Sequence, residues 1–287
     1  MKDFDWKEIR KTDAHVHLLP EESLAVKKEC DPDCWGHADP DEYLELMEEY
    51  NIAKAVLVPI NEQFTYCREV SDTNKWLGDM TKKYPDKFMA FADVVNNGGY
   101  FALDMPFVIR EAQQEYGLSG LKLHPSNLGI EIDSLDMVPV IREACDLGMP
   151  IMIHSYPYAG TSYDCCSPSR IHKMTRVFPD GSFIISHIGG HRWQDVIGGN
   201  EYVDISSFLP EMTELYGIEQ TNRSLRAIGV DRLIFATDYP QVYKVKPGDI
   251  LKTYCDILNM MDFTKEEAEK IAYGNMEKIL KKRNEDS

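Results

Sequence analysis

The sequence predicts an α/β fold, a single (β/α)8 TIM barrel, and three observations predict it. Eight short β-rich runs alternate with amphipathic stretches, at intervals of about 30 to 40 residues that suit a strand–loop–helix–loop repeat. Several runs, such as Ala55-Val56-Leu57-Val58 and Ile151-Met152-Ile153, are apolar throughout, as parallel strands covered on both faces are. The Gly-x-Gly-x-x-Gly turn of the rival, doubly wound open sheet follows none of them. No Pro-, Gly- or Ser-rich linker interrupts the 287 residues, so one domain over residues 1–287 is expected.

The elements read in order. Thr12–Val16 is the first strand. Asp39-Pro40-Asp41-Glu42 then offers an N-cap, a proline at the first helical position and acidic residues in the first turn. Lys54–Pro59 is the second strand, and Ser71 leads a helix over Asp72–Lys83. Phe88–Val94 and Leu118–His124 follow as strands three and four, and Ser134 leads a helix up to Gly148. Pro150–His154 is strand five, with Ser167-Pro168 opening the next helix. Ser182–Ile188, a short helix near Trp193–Gly198, Tyr202–Ser206 and Leu233–Thr237 complete the repeat. Thr264-Lys265-Glu266-Glu267 is a capping box before the C-terminal helices, and Leu44, Met47, Ile250 and Ile257 form helical core stripes.

Composition narrows the partners. Lys and Arg number 31 against 48 Asp and Glu, a net charge of −17 that repels phosphate backbones and anionic lipid. A small-molecule substrate is therefore expected, with neither nucleic acid nor membrane, and association into a homo-oligomer is compatible with the fold. The N-terminus has no apolar segment of a secretory leader, and no run reaches the roughly eighteen apolar residues of a span. With an odd count of cysteines, Cys30, Cys34, Cys67, Cys145, Cys165, Cys166 and Cys255, reduced thiols and a cytoplasmic location are expected. Cys30 and Cys34 near His37, and the adjacent Cys165 and Cys166, lack the spacing of a metal knuckle and read as ordinary loop residues.

Five histidines fall at or near the C-terminal ends of the strands: His15 and His17, His124, His154 and His187. The eighth strand ends at Asp238. In a barrel those ends converge on one mouth, where catalytic residues sit. His15 and His17 are two apart on a strand, so both imidazoles face one side while Val16 faces the other. Imidazoles and a carboxylate gathered there suit one divalent ion, zinc first, with manganese or iron as alternatives.

These residues carry a resemblance. Asp13-Ala14-His15-Val16-His17, Gly120-Leu121-Lys122-Leu123-His124-Pro125, Ile153-His154, Ser186-His187-Ile188-Gly189-Gly190, Ala236-Thr237-Asp238-Tyr239-Pro240 and Gly274-Asn275 are similar to the amidohydrolase superfamily. The likeness is strongest to its amidohydrolase-related branch of hydrolases, lactonases and aminocarboxymuconate-semialdehyde decarboxylase-like enzymes. The resemblance implies that His15, His17, His154 and Asp238 are metal ligands, that Asp238 also handles the proton, and that His187 acts beside the metal on a substrate oxygen. A metal-held water with a pKa near about 7 would be the nucleophile.

One departure bears on metal count. Dinuclear members place a carbamylated lysine at the end of strand four, where this chain has His124, with Lys122 two residues earlier. Lys122 either reaches upward or is a buried cation balancing Asp238. One metal is favoured over two, which leaves Lys122 and His124 as substrate-facing groups. Tyr156, in the run Ser155-Tyr156-Pro157-Tyr158, is expected to wall the pocket, and His191 and Arg192 to contact an anionic substrate. His37 and His172 read as surface residues.

Three functions remain. The leading one is a metal-dependent hydrolase that opens an ester, lactone or amide of a small molecule. The alternative is a non-oxidative decarboxylase of an unsaturated or aromatic acid, a carboxy-lyase, which needs a cation for the carboxylate. A barrel that binds without catalysing is the third, and the full donor set opposes it.

Overall fold

Parallel neighbours need a crossover of a dozen or more residues, and the amphipathic stretches supply it. In the computed structural model, which describes residues 4–66, 69–157 and 164–285, eight parallel strands pair in chain order. They are β1 (Lys11–Val16), β2 (Ile52–Leu57), β3 (Phe88–Ala92), β4 (Gly120–Leu123), β5 (Ile151–Ile153), β6 (Phe183–Ile185), β7 (Tyr202–Asp204) and β8 (Leu233–Ile234). Around them run α1 (Glu21–Cys30), α2 (Pro40–Glu49), α3 (Gln63–Tyr66), α4 (Val70–Lys83), α5 (Phe101–Gln114), α6 (Pro125–Leu128) and α7 (Met137–Asp146). Then come α8 (Pro168–Thr175), α9 (Phe208–Ile228), α10 (Ile250–Met260), α11 (Lys265–Glu269) and α12 (Asn275–Glu285). Cys67 and Tyr158 lie outside the described residues. None of the described helices is long and apolar enough to cross a membrane.

All eight predicted strands are present, but the ladder stops short of the predicted C-terminal ends. His124, His154, Ser186 to Ile188 and Ser206 have left the sheet and form the rim. The chain after β8 closes the ring on β1: Ala14 donates to the Phe235 carbonyl at 3.1 Å, His17 to that of Tyr239 at 2.8 Å, and Asp238 to that of His15 at 2.9 Å. Asp13 fastens the same seam. Its buried carboxyl accepts from Tyr43 Oη at 2.8 Å, Thr237 Oγ1 at 2.6 Å and Thr237 N at 2.9 Å, while burial pushes its pKa up to about 7.

The register of β1 shifts between Asp13 and Val16. Within the shifted stretch, Ala14 packs with Val56, Phe91, Met152, Ile184 and Ile234 in the inner apolar cluster, whereas Val16 at its end belongs to the outer layer between strands and helices. A bulge of this kind re-aims side chains beside active sites. Here it turns His15 and His17 together toward the mouth. Gly120 opposes Phe91 in the β3–β4 pairing, and a Cβ there would stand 2.5 Å from the Phe91 ring, so only glycine admits that ring to the interior.

Three predicted helix starts are made as read, α8 opening at Pro168 with Ser167 before it. Asp39 accepts from Asp41 N at 3.0 Å, and Thr264 and Glu267 cap each other's backbone. Two others move: α4 begins at Val70 with Ser71 already inside it, and Ser134 lies before the start of α7, accepting from Asp136 N at 3.3 Å. His172 is not a plain surface residue. It donates from one ring nitrogen to the Asp195 carbonyl at 2.8 Å and places Nδ1 2.9 Å from Glu201 Oε1, tying α8 to the start of β7.

Burial alone would raise the Glu201 carboxyl, but His172 and the Thr175 hydroxyl at 2.6 Å together hold it at about 2. A carboxyl held below its unfolded value stabilises the fold above that value and loses the contribution as pH falls through the folded pKa. Glu201→Gln is therefore expected to cost about 2–3 kcal/mol near pH 6, with the gap from the parent narrowing toward about pH 3. Urea denaturation of both proteins at the two pH values checks it, and a gap that does not change contradicts it.

Candidate metal centre and substrate cavity

The strand ends bring five imidazoles and two carboxylates to one place. His15 ends 0% exposed, His17 5% and His187 2%. The ring of His15 stands 5.0 Å from that of His17 and 5.0 Å from that of His187, and His187 lies 4.7 Å from His154. His124 stacks on His154 at 3.7 Å. Donor atoms of His15, His187 and Asp238 all lie within 4.8 Å of one another. His17 Nε2 is 3.0 Å and His15 Nε2 3.3 Å from the same oxygen, Asp238 Oδ1.

Hydrogen bonds behind the rings decide which nitrogens face that point. Asp204 Oδ2, buried at the end of β7, lies 3.1 Å from His15 Nδ1, and the Val58 carbonyl lies 2.7 Å from His17 Nδ1. With Nδ1 of each ring committed there, Nε2 of both rings faces Asp238. Burial first, and then the charge of Lys122, push the pKa of His15 well below the ordinary histidine value, so this ring is neutral. Imidazole nitrogens and a carboxylate oxygen gathered at one point are the donor types that a borderline divalent ion takes. The donor set therefore fits a divalent ion, with the outer bonds to Asp204 and Val58 of the kind that orient metal-binding histidines.

Asp204 does more than face His15. Its Oδ1 accepts from His187 N at 2.9 Å, from Ser206 N at 3.1 Å and from the Ser206 hydroxyl, which also sits 2.8 Å from His187 Nδ1. The backbone at the rim is held in left-handed conformations uncommon for side-chain-bearing residues: φ is 60° at His187, 57° at Ile188, 52° at Ser207 and 70° at Asp238. Such conformations persist where the surroundings over-determine them, and they cluster at functional sites.

Lys122 is fully buried beneath this group, its Nζ 2.8 Å from His15 Nε2. Burial lowers its pKa to about 8, against the opposing charges of Asp238 and Asp204. It does not face the cavity as a substrate-facing lysine would, because its side chain ends against His15, and an ion on His15 Nε2 would displace that hydrogen bond. His124 is pushed down to about 3, by burial and then by Lys122.

Above the group opens a cavity of about 830 Å³ walled by His124, His154, Tyr156, His191, Glu211 and Tyr243, with Cys165 and Cys166 buried in its side. His154 reaches the donor group through His187, its Nδ1 2.9 Å from His187 Nε2. Arg192 stands away from the cavity: its side chain is 53% exposed and paired with Asp195 at 3.3 Å. A larger hollow of about 1060 Å³ lies among the N-terminal ends of β6 and β7 and α12, far from any grouped donors among the described residues. His37 pairs with Glu42 at 2.8 Å, and Cys30 is exposed, so these residues gather no metal-binding group.

Sequence reading missed Asp204 and Glu211. An acid inside the otherwise apolar run Tyr202-Val203-Asp204-Ile205 was a usable signal for the first. Glu211 gave none, being one of several acids on a helix.

The amidohydrolase family profile matches residues 12–282. No curated protein sequence matches the chain. Among solved structures, 2,6-dihydroxybenzoate decarboxylase from Rhizobium is similar with a TM-score of 0.68 at 17% identity, over 95% of this chain and 99% of that one. Dihydroxybenzoic acid decarboxylase from Polaromonas, with bound manganese and the inhibitor 2-nitroresorcinol, is similar with a TM-score of 0.66 at 16% identity, over 95% and 97%. 4-Oxalomesaconate hydratase from Rhodopseudomonas palustris is similar with a TM-score of 0.67 at 18% identity, over 96% and 97%. At such identities the likeness establishes the fold alone.

Because Asp204 orients His15 and anchors His187, Asp204→Asn is expected to weaken Mn2+ binding by about 10–100-fold. Calorimetric titration of metal-free protein with Mn2+ measures this. Unchanged affinity in a folded variant would show that the outer hydrogen bonds do not orient the donors.

Proposed function

The chain belongs to the amidohydrolase family, and on that premise we propose that it is a metal-dependent enzyme that removes carbon dioxide from a small aromatic or unsaturated carboxylic acid. The observation that carries the proposal is the convergence of His15 Nε2 and His17 Nε2 on Asp238 beneath an aromatic-walled cavity. The similarity to two decarboxylases of dihydroxybenzoic acids favours this reaction over hydrolysis.

His15, His17 and Asp238, with His187 or His154 completing the set, would hold one divalent ion, manganese or zinc. When bound, the ion supplies fixed positive charge for the substrate's carboxylate and draws electron density from the carbon that bears it. The chain's own groups do the remaining work. Asp238, protonated on its outer oxygen, gives its proton to the carbon that loses the carboxylate; as the carbon–carbon bond breaks, carbon dioxide leaves and a carbon–hydrogen bond replaces it. No water is consumed. His187, in the cavity lining, orients the anionic end of the substrate, and Lys122, buried beneath against His15, adds balancing charge without touching it. The stacked His124 and His154 and the Tyr156 ring offer flat walls that hold a planar acid and exclude water.

Hydrolysis of an ester, lactone or amide is the second reading, and the position of Asp238 between His15 and His17 favours it. There the same carboxylate would take a proton from water and hand it to the leaving group. The two reactions separate by product. Protein reloaded with Mn2+ is expected to release labelled carbon dioxide from at least one carboxyl-labelled hydroxy- or amino-substituted aromatic or unsaturated acid. Asp238→Asn should lower kcat by about 10²–10⁴-fold. Turnover of esters or lactones with no carbon dioxide from any acid would overturn the lead reading in favour of the second.

A further inference from the structure

We propose that Glu211 selects the substrate, and that the acid taken up carries a hydrogen-bond-donating group, amino or hydroxyl, at the end opposite its carboxylate. The inference rests on the carboxylic-acid reading above and names which acids fit.

Glu211 lies in the first turn of α9, its side chain 14% exposed in the cavity wall. Tyr156 donates its hydroxyl to Glu211 Oε2, and His191 Nε2 stands 3.4 Å from Oε1. Each carboxylate oxygen has two acceptor positions, so neither bond fills the group's capacity. Asp164 adds a second carboxylate to the same wall, and no Lys or Arg is among the described residues that line the cavity. Of the basic side chains nearby, Arg170 pairs with Asp133 and stands 3.8 Å from Asp164, while Lys244 is turned to Glu214 at 2.8 Å, so Glu211 is the wall carboxylate to which neither of them is paired.

Tyr156 also sets the length scale. Its ring stands 5.7 Å from that of His187 at the metal-binding end, while its hydroxyl meets Glu211 at the other. One aromatic ring with a substituent thus spans the gap, so an acid lying beside Tyr156 with its carboxylate at the imidazoles points its far substituent at Glu211. A donor there satisfies a carboxylate that substrate entry would otherwise strip of water. A bare ring leaves its remaining acceptor positions unfilled, and a second carboxylate meets like charge.

The test is calorimetric binding of four probes to Mn2+-loaded protein: 4-hydroxybenzoate, 4-aminobenzoate, benzoate and benzene-1,4-dicarboxylate. Expected is binding of at least one of the two donors about tenfold or more tighter than benzoate, with the dicarboxylate weakest. The donor-to-benzoate ratio should fall to near one in Glu211→Leu and survive in large part in Glu211→Gln, whose amide oxygen still accepts. Which donor is preferred separates amino from hydroxyl substrates. Benzoate binding with no preference in the parent, or a preference kept in Glu211→Leu, overturns the role of Glu211 while leaving the carboxylic-acid reading standing. Binding of none of the four overturns both. Should Glu211→Leu not fold, as judged by circular dichroism, the parent's ratio and that of Glu211→Gln still decide.

Discussion

Asp204 is completely buried, and a carboxylate without water must be met by donors from the protein itself. It is met by the ring of His15 from β1, by the backbone of His187 after β6, and by Ser206 after β7. One side chain therefore ties three separate strand ends to a common geometry, and it does so through the face of His15 that points away from the cavity. What remains exposed to the centre is the opposite face, with its Nε2. The chemistry available to the mouth follows from that orientation: neutral nitrogen donors and one carboxylate, gathered under a wall of rings, with Lys122 as the only buried cation touching them among the described residues.

The cavity floor is built by the same device on its other side. Asn61, itself at a φ of 54°, donates to buried Asp93 at 2.7 Å and accepts from His124 N at 2.5 Å, which fixes where β4 ends and His124 stacks on His154. Burial pushes Asp93 up to about 7, as it does Asp13 at the seam between β1 and β8. Both acids lie out of solvent, each within a ring of donors. Buried polar networks of this kind hold a site to one arrangement when every member is satisfied.

Much of this was legible in the chain. Apolar runs at a repeat suited to parallel strands located all eight strands, and the histidines at their ends located the mouth. The strand limits were less legible, because residues such as His154 and Ser206 continue a β-like pattern after the backbone has turned out of the ladder. Ser71 and Ser134 look like caps by type, but the helices start where packing places them. The orientation of the donors was not legible at all. It depends on a bulge in β1, on left-handed residues after β6 and β8, and on Asp204, whose partners are distant in sequence. Arg192 follows His187 closely in the chain, yet the left-handed turn between them carries it out to solvent and to Asp195.

The account turns on whether positive charge in the form of a metal occupies the point where His15, His17 and Asp238 meet. Elemental mass spectrometry of protein purified without a polyhistidine tag measures it directly. About one manganese or zinc ion per chain is predicted, as expected of one such donor set. No ion retained, even after incubation with Mn2+ and Zn2+, would contradict the account and leave the converging nitrogens to protons and Lys122.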